Sequence, residues 1–347
     1  MPFTYPKYNI SQNVIGLKLS EAVKKKITTK FLQIYFQTNV GKKQLERESS
    51  FGVQPKITLD AIRNILIPIF SNSKQKLIID KYQSASDRKQ QKEFEANELL
   101  NSIDTYLLNE LGLELPKQSN DLRERLFISN YSELTNSRFD PISIRNYKNI
   151  RSQNPKYPLL TFKELFIKNP QYGANEEAID GNSEKDVRYI RITDIDEWGN
   201  LRTDTWKTAA NVHPNYLLKD NDILIARTGA TVGKAFIYKE HNCKAIFAGY
   251  MIRFFLNPKK ANADFVFHYL NSGFYKYWIS TIQRPSAQPN INSEEYKSLP
   301  IPLPPLEKQN EISAKILLIR NQASKMFLEA SEILETAKGE VEEMILG

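Results

Sequence analysis

The chain has 347 residues, a formal net charge of +8 and a length that suggests roughly two domains. Its 41% hydrophobic and 25% charged residues are typical of globular chains and argue against wholesale disorder. No apolar run approaches the ~18 residues of a membrane span, no secretory signal pattern opens the sequence, and the single cysteine, Cys243, excludes an internal disulfide framework. These features predict a cytoplasmic protein with a polyanionic partner and no membrane association.

The net positive charge comes from the residues before position 306. Residues 1–115 carry 17 Lys and Arg against 12 Asp and Glu, and residues 116–305 carry 26 against 20. Residues 306–347 carry 5 against 8, which favours a solvated or protein-contacting helix. A nucleic-acid surface is therefore expected in the first two blocks, although a net charge of this size also occurs in proteins that bind no nucleic acid.

An internal repeat organises the chain. Residues 30–78 align without gaps on residues 264–312 and share 11 identities in 49 positions, against roughly three expected by chance. Both copies contain a Gln-Pro-x-Ile turn, an Ile-Pro element and a Lys-Gln pair that opens a long helix. Only the second copy follows a long strand-rich region, so the first is expected to be the C-terminal remnant of the same kind of domain.

The predicted elements follow from hydrophobic periodicity. A helix is predicted over about 73–111, strands and turns over 120–255, and helical structure again over 265–282. From residue 306 a second long helix has a heptad seam at Ile312, Ile316, Ile319, Ala323, Met326, Ala330, Ile333 and Ala337. The first long helix has the same register, interrupted by Lys89 and Lys92. We expect the two helices to pair antiparallel; the alternative is that each stripe packs on its own domain.

Four motifs occur in order along the second copy and the region before it. They read YIRITDI at 189–195, DILIARTGATVGKAFIY at 222–238, RPSAQPNIN at 284–292 and LPIPLPPLEKQNEI at 299–312. With these motifs and the repeat, the chain resembles the specificity (S) subunits of type I restriction–modification systems, in which each of two target-recognition domains is followed by a long spacer helix. The resemblance extends from about residue 30 to the C-terminus.

The resemblance implies an α+β fold, with strand-rich target-recognition domains joined by two long helices that form an antiparallel coiled coil. It divides the chain into a partial first recognition domain, a first spacer helix, a complete second recognition domain and a second spacer helix, at residues 1–70, 71–115, 116–305 and 306–347. Because the first domain is expected to be partial, either self-association or another chain that supplies a complementing half-domain is also expected.

The function that the resemblance implies is non-catalytic recognition of a split double-stranded DNA target, with methyltransferase (modification) and restriction subunits as partners. It implies that this chain binds no cofactor and that S-adenosylmethionine, ATP and Mg²⁺ act on the partner subunits. Two other interpretations stay open. One is a stand-alone DNA-modifying or DNA-cleaving enzyme with an unrecognised site, and the other is a coiled-coil scaffold that has lost DNA reading through truncation.

The turn at residues 227–234 is the sharpest local feature of the sequence. Two glycines allow a close approach of the backbone to a partner, and the Arg, Thr and Lys side chains are phosphate donors. The spacing of a nucleotide-binding phosphate loop is absent, because Ala235 follows the lysine. A glycine hairpin between two core strands is the alternative. We predict contacts with the DNA backbone for Arg227, Thr228, Thr231 and Lys234.

The segment at residues 284–290 supplies further candidate DNA contacts. Asn and Gln side chains pair with adenine and Arg with guanine or phosphate, so Arg284, Ser286, Gln288 and Asn290 are candidates. Gln288 recurs as Gln54, which favours a scaffold role for it.

Tyr172 precedes a long polar loop and is a candidate for groove insertion, with a plain surface loop as the alternative. Arg188 and Arg191 flank Tyr189 on a predicted strand. Because side chains alternate between the two faces of a strand, at most one of these arginines is expected to face DNA.

The search for catalytic residues is negative. The sequence has neither the Asn/Asp-Pro-Pro-Tyr/Phe tetrad of amino-methyltransferases nor a glycine-rich cofactor fingerprint. The acidic clusters at residues 176–177 and 194–197 could hold Mg²⁺, but no lysine stands at the spacing that nucleases use. Three scattered histidines complete no metal set. We therefore predict no catalytic residue and no metal ligand in this chain.

Overall fold

The structure, a computed structural model, describes residues 14–49, 56–116, 126–130, 140–196, 199–202, 204–239, 243–283 and 288–347. Backbone contacts divide the chain into two compact units. The N-terminal unit comprises Met1–Leu100 and Arg320–Gly347, and the strand-rich unit comprises Asn101–Ile319. Each of two long helices, α5 (Asn72–Leu111) and α10 (Leu306–Leu346), therefore contributes to both units. The predicted domain boundaries stay predictions.

Short helices and parts of the two long ones build the N-terminal unit. The short helices are α1 (Glu21–Lys24), α2 (Thr29–Tyr35), α3 (Asn39–Arg47) and α4 (Leu59–Arg63). Three of them begin after a threonine whose hydroxyl accepts a hydrogen bond from a first-turn N–H, which satisfies one otherwise unpaired donor. A buried cluster from α2, α5 and α10 forms the core: Phe31, Leu32, Ile34, Tyr35, Ile78, Tyr82, Val341 and Ile345.

The strand-rich unit mixes short strands with helices. Its helices besides the long ones are α6 (Pro141–Arg151), α7 (Ala263–Tyr269), α8 (Gly273–Ile282) and α9 (Ser293–Lys297). Its strands are β1 (Leu159–Thr161), β2 (Gln171–Tyr172), β3 (Ala178–Asp180), β4 (Arg188–Ile190), β5 (Lys207–Ala209), β6 (Ile223–Ala226), β7 (Ala235–Ile237), β8 (Ala245–Phe247), β9 (Met251–Phe254) and β10 (Pro300–Pro302). The α+β class and the helical prediction for residues 265–282 are thereby confirmed.

A four-stranded antiparallel sheet, in the order β2-β9-β6-β7, separates two apolar clusters of this unit. Because side chains alternate along a strand, Ile223 and Ile225 of β6 join the cluster that contains α7 and α8, whereas Leu224 joins the other. Three two-stranded pairs complete the unit: β1 with β10 and β3 with β5 are antiparallel, and β4 with β8 is parallel.

The two long helices pack antiparallel, as the heptad seams predict. Ion pairs join Lys81 to Glu340 at 3.0 Å and Lys92 to Glu329 in the N-terminal unit, so residue numbers rise along one helix as they fall along the other. The seam of α10 is buried every seven residues at Gln309, Ile316, Ala323, Ala330 and Ala337.

The two lysines in the seam of α5 do interrupt its burial. Lys89 and Lys92 remain partly exposed, and each pairs with a glutamate, Lys89 with Glu93 and Lys92 with Glu329. A charged ammonium group cannot be buried without a partner, so these two seam positions stay close to solvent.

The sequence repeat corresponds to a repeated hydrogen-bond network. In the N-terminal unit, the side chain of Gln75 accepts from the Thr28 N–H at 2.9 Å and donates to the Lys26 and Phe70 carbonyls at 2.6 and 2.9 Å. In the strand-rich unit, Gln309 stands in the place of Gln75. It accepts from the N–H of Asn262 at 2.7 Å and donates to the carbonyls of Lys260 and Pro304 at 3.1 and 2.8 Å. Both copies thus use one buried glutamine to tie a long helix to the helical part before it.

Candidate nucleic-acid interface

The predicted turn at residues 227–234 is the hairpin between β6 and β7 of the strand-rich unit. Gly229 and Gly233 adopt positive φ angles of 77° and 87°, a conformation that only glycine adopts at low cost. A Cβ atom on Gly233 would lie 2.9 Å from the Ile279 side chain, whereas one on Gly229 would meet nothing within 4 Å. The hairpin is therefore packed at its base and open at Gly229, which fits both the hairpin alternative and the approach of a partner.

Arg227 begins the hairpin loop and lies over Tyr172 of β2. Its guanidinium carbon is 4.8 Å from the centre of the tyrosine ring, within the range of a cation–π interaction. The Tyr172 hydroxyl donates to Ser293 Oγ at 3.3 Å and accepts from the Ser293 N–H at 3.2 Å. Burial raises the pKa of Tyr172, but these hydrogen bonds and the adjacent guanidinium outweigh it and lower the pKa below its ordinary value.

The guanidinium of Arg227 forms no ion pair with any part of the chain that the structure describes. Its Nε is buried and has no hydrogen-bond partner among those residues. The tyrosine ring thus positions this cation without neutralising it. A positioned and unneutralised guanidinium is suited to bind a phosphate or the acceptor edge of a guanine.

The segment that follows residue 287 lies against the hairpin loop. The Gly229 N–H donates to the Pro289 carbonyl at 3.0 Å, and the Ile291 N–H donates to the Arg227 carbonyl at 2.8 Å. Thr228 and Asn290 form an isolated β-bridge. These bonds bring together residues 172, 227–231 and 288–293, which we call the recognition surface.

The predicted contact residues divide into those on the recognition surface and those used elsewhere. Thr231, Gln288 and Asn290 are exposed, and Thr228 is half-buried beside them. Lys234 points its ammonium group to the Ile195 carbonyl at 2.5 Å, which favours a structural role. Arg284 and Ser286 lie outside the described residues.

Arg188 and Arg191 have partners within the protein. Arg188 is 5% exposed, donates to the Arg202 carbonyl and lies over the Trp206 ring at 5.0 Å. Arg191 forms a two-bond pair with Asp194, with nitrogen–oxygen distances of 3.1 and 2.6 Å, which raises the pKa of the arginine. Both arrangements favour structural roles, and a DNA contact through either arginine stays an untested prediction.

Sequence reasoning did not single out Ser293, which fixes the Tyr172 hydroxyl. A signal for its position is present in the sequence. Asn292 and Glu295 form a capping box at the start of α9, with hydrogen bonds of 2.9 and 2.8 Å. The Asn-x-x-Glu spacing of that box predicts a helix start at Ser293, but not that a distant tyrosine would bind there.

The described residues offer neither a metal site nor a membrane span. No group of three or more His, Cys, Asp and Glu side chains in them is arranged to hold a metal ion. Among the same residues, no helix combines the length and the apolar character needed to cross a membrane.

Comparisons with known proteins point to one family. The family model of the type I restriction modification DNA specificity domain matches residues 163–319, which contain the recognition surface. The type I restriction enzyme MjaVIII specificity subunit of Methanocaldococcus jannaschii is 29% identical over 139 residues. That match covers 39% of this chain and 32% of the relative, so the chain aligns with about a third of the curated protein's length.

One solved structure shows the same kind of fold, and a second is also similar. The first is a chain from a structure that describes complex assembly and conformational transition of the type I R-M system. It aligns over 93% of this chain and 71% of that chain, with a TM-score of 0.55 and 14% identity. The HsdS subunit of Thermoanaerobacter tengcongensis aligns over the same shares with a TM-score of 0.43 and 16% identity. Residues 163–319, which carry all four ordered motifs, are therefore similar to the DNA specificity domain of type I restriction–modification systems.

Proposed function

We propose that this chain recognises a DNA sequence for a type I restriction–modification complex and that the recognition surface contacts the DNA. The observation that carries the proposal is Arg227, a cation positioned by Tyr172 but not neutralised by a carboxylate of the described chain. Guanidinium groups bind phosphate oxygens and the acceptor edge of guanine in two-bond geometry. The specificity-domain match over the same residues supports this assignment.

The neighbours of Arg227 are suited both to contact the DNA backbone and to form hydrogen bonds with base edges. Exposed Gln288 and Asn290 side chains carry both donors and acceptors, which can pair with adenine in the major groove. The backbone at Gly229 is open, so a phosphate can approach its loop without a side-chain clash. We assign the phosphate contact first to Arg227 and Thr231, and base contacts to Gln288 and Asn290.

Binding of the purified chain to a fluorescent duplex of random sequence tests the proposal. We expect affinity to fall steeply between about 50 and 200 mM salt, because bound cations release counterions from the duplex. Arg227→Ala should weaken binding and lower the slope of log K against log salt by about one.

Arg63→Ala is the matched control, since its side chain is 77% exposed in the N-terminal unit and the charge change is the same. Salt-independent binding, or equal losses in both variants, would contradict the assignment. A chain that binds no duplex in any salt would favour a scaffold that has lost DNA reading.

We propose a split target in double-stranded DNA and modification subunits as partners, with a restriction subunit joining them in the cytoplasm. S-adenosylmethionine, ATP and Mg²⁺ would act on those partners, and this chain would bind none of them and catalyse no reaction. The similarity to a specificity subunit of a type I restriction enzyme supports the recognition role in this proposal.

Methylome sequencing of cells with and without the gene tests these details. One two-part adenine motif should lose methylation when the gene is deleted and regain it on complementation. Methyl transfer or Mg²⁺-dependent cleavage by the purified chain alone would instead support a stand-alone enzyme.

A further inference from the structure

In the strand-rich unit, β10 and its flanking residues are covered by a neighbouring strand. The Phe162 N–H donates to the Leu299 carbonyl at 2.8 Å, and the Leu303 N–H donates to the Pro158 carbonyl at 2.9 Å. Between these two bonds, Leu160 of β1 lies opposite Ile301. Residues 299–303 thus pair along one edge with residues 158–162.

The repeat places residues 65–69 of the N-terminal unit in the position of residues 299–303. The inner anchors of this segment are the same in both copies: Tyr35 donates to the Leu66 carbonyl at 2.8 Å as Tyr269 donates to the Pro300 carbonyl at 2.6 Å. The N–H of Leu66 is also satisfied from inside, by Gln44 Oε1 at 2.9 Å. The segment is therefore held in place from its inner side.

The outer edge of this segment has no neighbouring strand among the residues that the structure describes. No described residue bonds to the Ile65 carbonyl, to the N–H or carbonyl of Ile67, or to the Ile69 N–H, although the corresponding groups at Leu299 and Leu303 are filled. Two apolar side chains beside them are largely open to solvent, Leu66 at 74% and Ile69 at 63%. Unpaired backbone groups next to exposed apolar side chains form a site for strand addition. We call residues 65–69 the open edge.

The open edge is complementary to a second copy of itself. In an antiparallel arrangement with a two-fold axis at Ile67, the two copies of Ile67 exchange both hydrogen bonds, and each Ile69 N–H meets the Ile65 carbonyl of the other copy. Pro68 falls between the pairing positions, so its missing N–H removes no inter-strand bond.

The charges of the adjacent helix α4 do not oppose pairing of two copies at the open edge. Asp60 and Arg63 of the adjacent helix α4 neutralise each other at 2.6 Å, so the approach of two copies brings no net charge from α4 together. We propose that the open edge is a dimerisation surface and that its occupant is the open edge of a second copy of this chain. This inference does not depend on the DNA-binding proposal, since it concerns the other unit.

Site-specific cross-linking tests the geometry of the pairing. Cys243 is the chain's single cysteine, so Leu66→Cys in a Cys243→Ser background leaves one reactive thiol. Two-fold pairing at Ile67 puts the two copies of residue 66 on one face, roughly 8 Å apart. A short bismaleimide should then give a covalent dimer. Leu77→Cys in the same background is the control, because its side chain is 60% exposed on α5, outside the open edge.

Sedimentation and amide exchange complete the test. Leu66→Lys should weaken self-association at least tenfold, and Leu77→Lys should not. The amides of Ile67 and Ile69 should exchange more slowly as protein concentration rises. Monomers at every concentration, equal cross-linking at residues 66 and 77, or a dimer indifferent to Leu66→Lys would each overturn the proposal. Protection of those amides in the monomer would overturn it too, by showing that another segment of the same chain covers the edge.

Discussion

Replacing Gln309 by methionine should loosen the strand-rich unit without emptying space in its core. Gln309 is fully buried, and its side chain makes three hydrogen bonds with residues before and after α7–α9. Methionine has nearly the same volume but satisfies none of them, and a buried bond of this kind contributes about 1 kcal/mol net. We expect a loss of about 3 kcal/mol in the free energy of unfolding and a fall in melting temperature of about 6–12 °C.

The same substitution at Gln75 should act on the N-terminal unit, because Gln75 makes the corresponding three bonds there. Hydrogen exchange read by mass spectrometry should show lost protection in α7–α9 for Gln309→Met and in α2–α4 for Gln75→Met. Gln322→Met is the control, since this glutamine is exposed on α10 and should leave both regions protected.

Loss of protection only in the opposite unit, for either variant, would refute the assigned role of these glutamines. Melting of both variants within about 1 °C of the wild-type chain would refute it too, because a shift that small corresponds to a few tenths of 1 kcal/mol and means that the glutamine bonds contribute almost nothing. Similar falls in melting temperature, with protection lost in the expected units, would confirm that the repeated glutamine bonds contribute similar stability to both units.

Three further outcomes are expected. Gly233→Ala should lower the free energy of unfolding by about 1–3 kcal/mol in thermal melts, since it combines a positive φ with a clash against the Ile279 side chain. Gly229→Ala should lower it by only about 1 kcal/mol, because the positive φ is unfavourable there but the surroundings are open. Lys92→Leu should raise the melting temperature slightly, because an apolar side chain restores the heptad seam and the ion pair it removes is half-exposed. Tyr172→Phe should keep DNA affinity within about threefold of wild type in anisotropy titrations, whereas Tyr172→Ala should lose about tenfold, because only phenylalanine keeps a ring under Arg227.

Much of the fold was predictable because its signals are local and periodic. The seam that runs through Ile316 and Ala323 recurs every seven residues from Gln309 to Ala337, and the fully buried positions on α10 follow it closely. The repeat added information that a single element lacks, since matched glutamines at 75 and 309 indicated matched surroundings. Strand boundaries were less accessible: the strand predicted to carry Arg188, Tyr189 and Arg191 ends at Ile190 as β4 and is followed by a single helical turn at Ile192–Asp194.

The candidate site was predictable only in part because the partner of a charged side chain is set by the fold. Arg188, Arg191 and Arg227 look alike in sequence, yet the first is buried, the second is paired with a carboxylate and the third is neither. Strand alternation limited the choice between the first two but did not reveal that both faces of β4 are covered. The ring under the guanidinium comes from Tyr172, 55 positions earlier in the chain.

One pair of equivalent positions shows how the repeated helices are adapted to different neighbours in the two copies. Trp278 is 1% exposed, and its ring centre lies 6.2 Å from that of Tyr296. Both rings belong to the core between the helices and the four-stranded sheet. The corresponding residue of the first copy is Gln44, half-buried, which donates to the Leu66 carbonyl and accepts from its N–H. A tryptophan there would expose a large apolar surface, whereas the glutamine satisfies the backbone from inside and tolerates water. The glutamine thus satisfies the Leu66 backbone from the inner side, and the groups of residues 65–69 that have no partner among the described residues lie on the open edge, where another strand can bind.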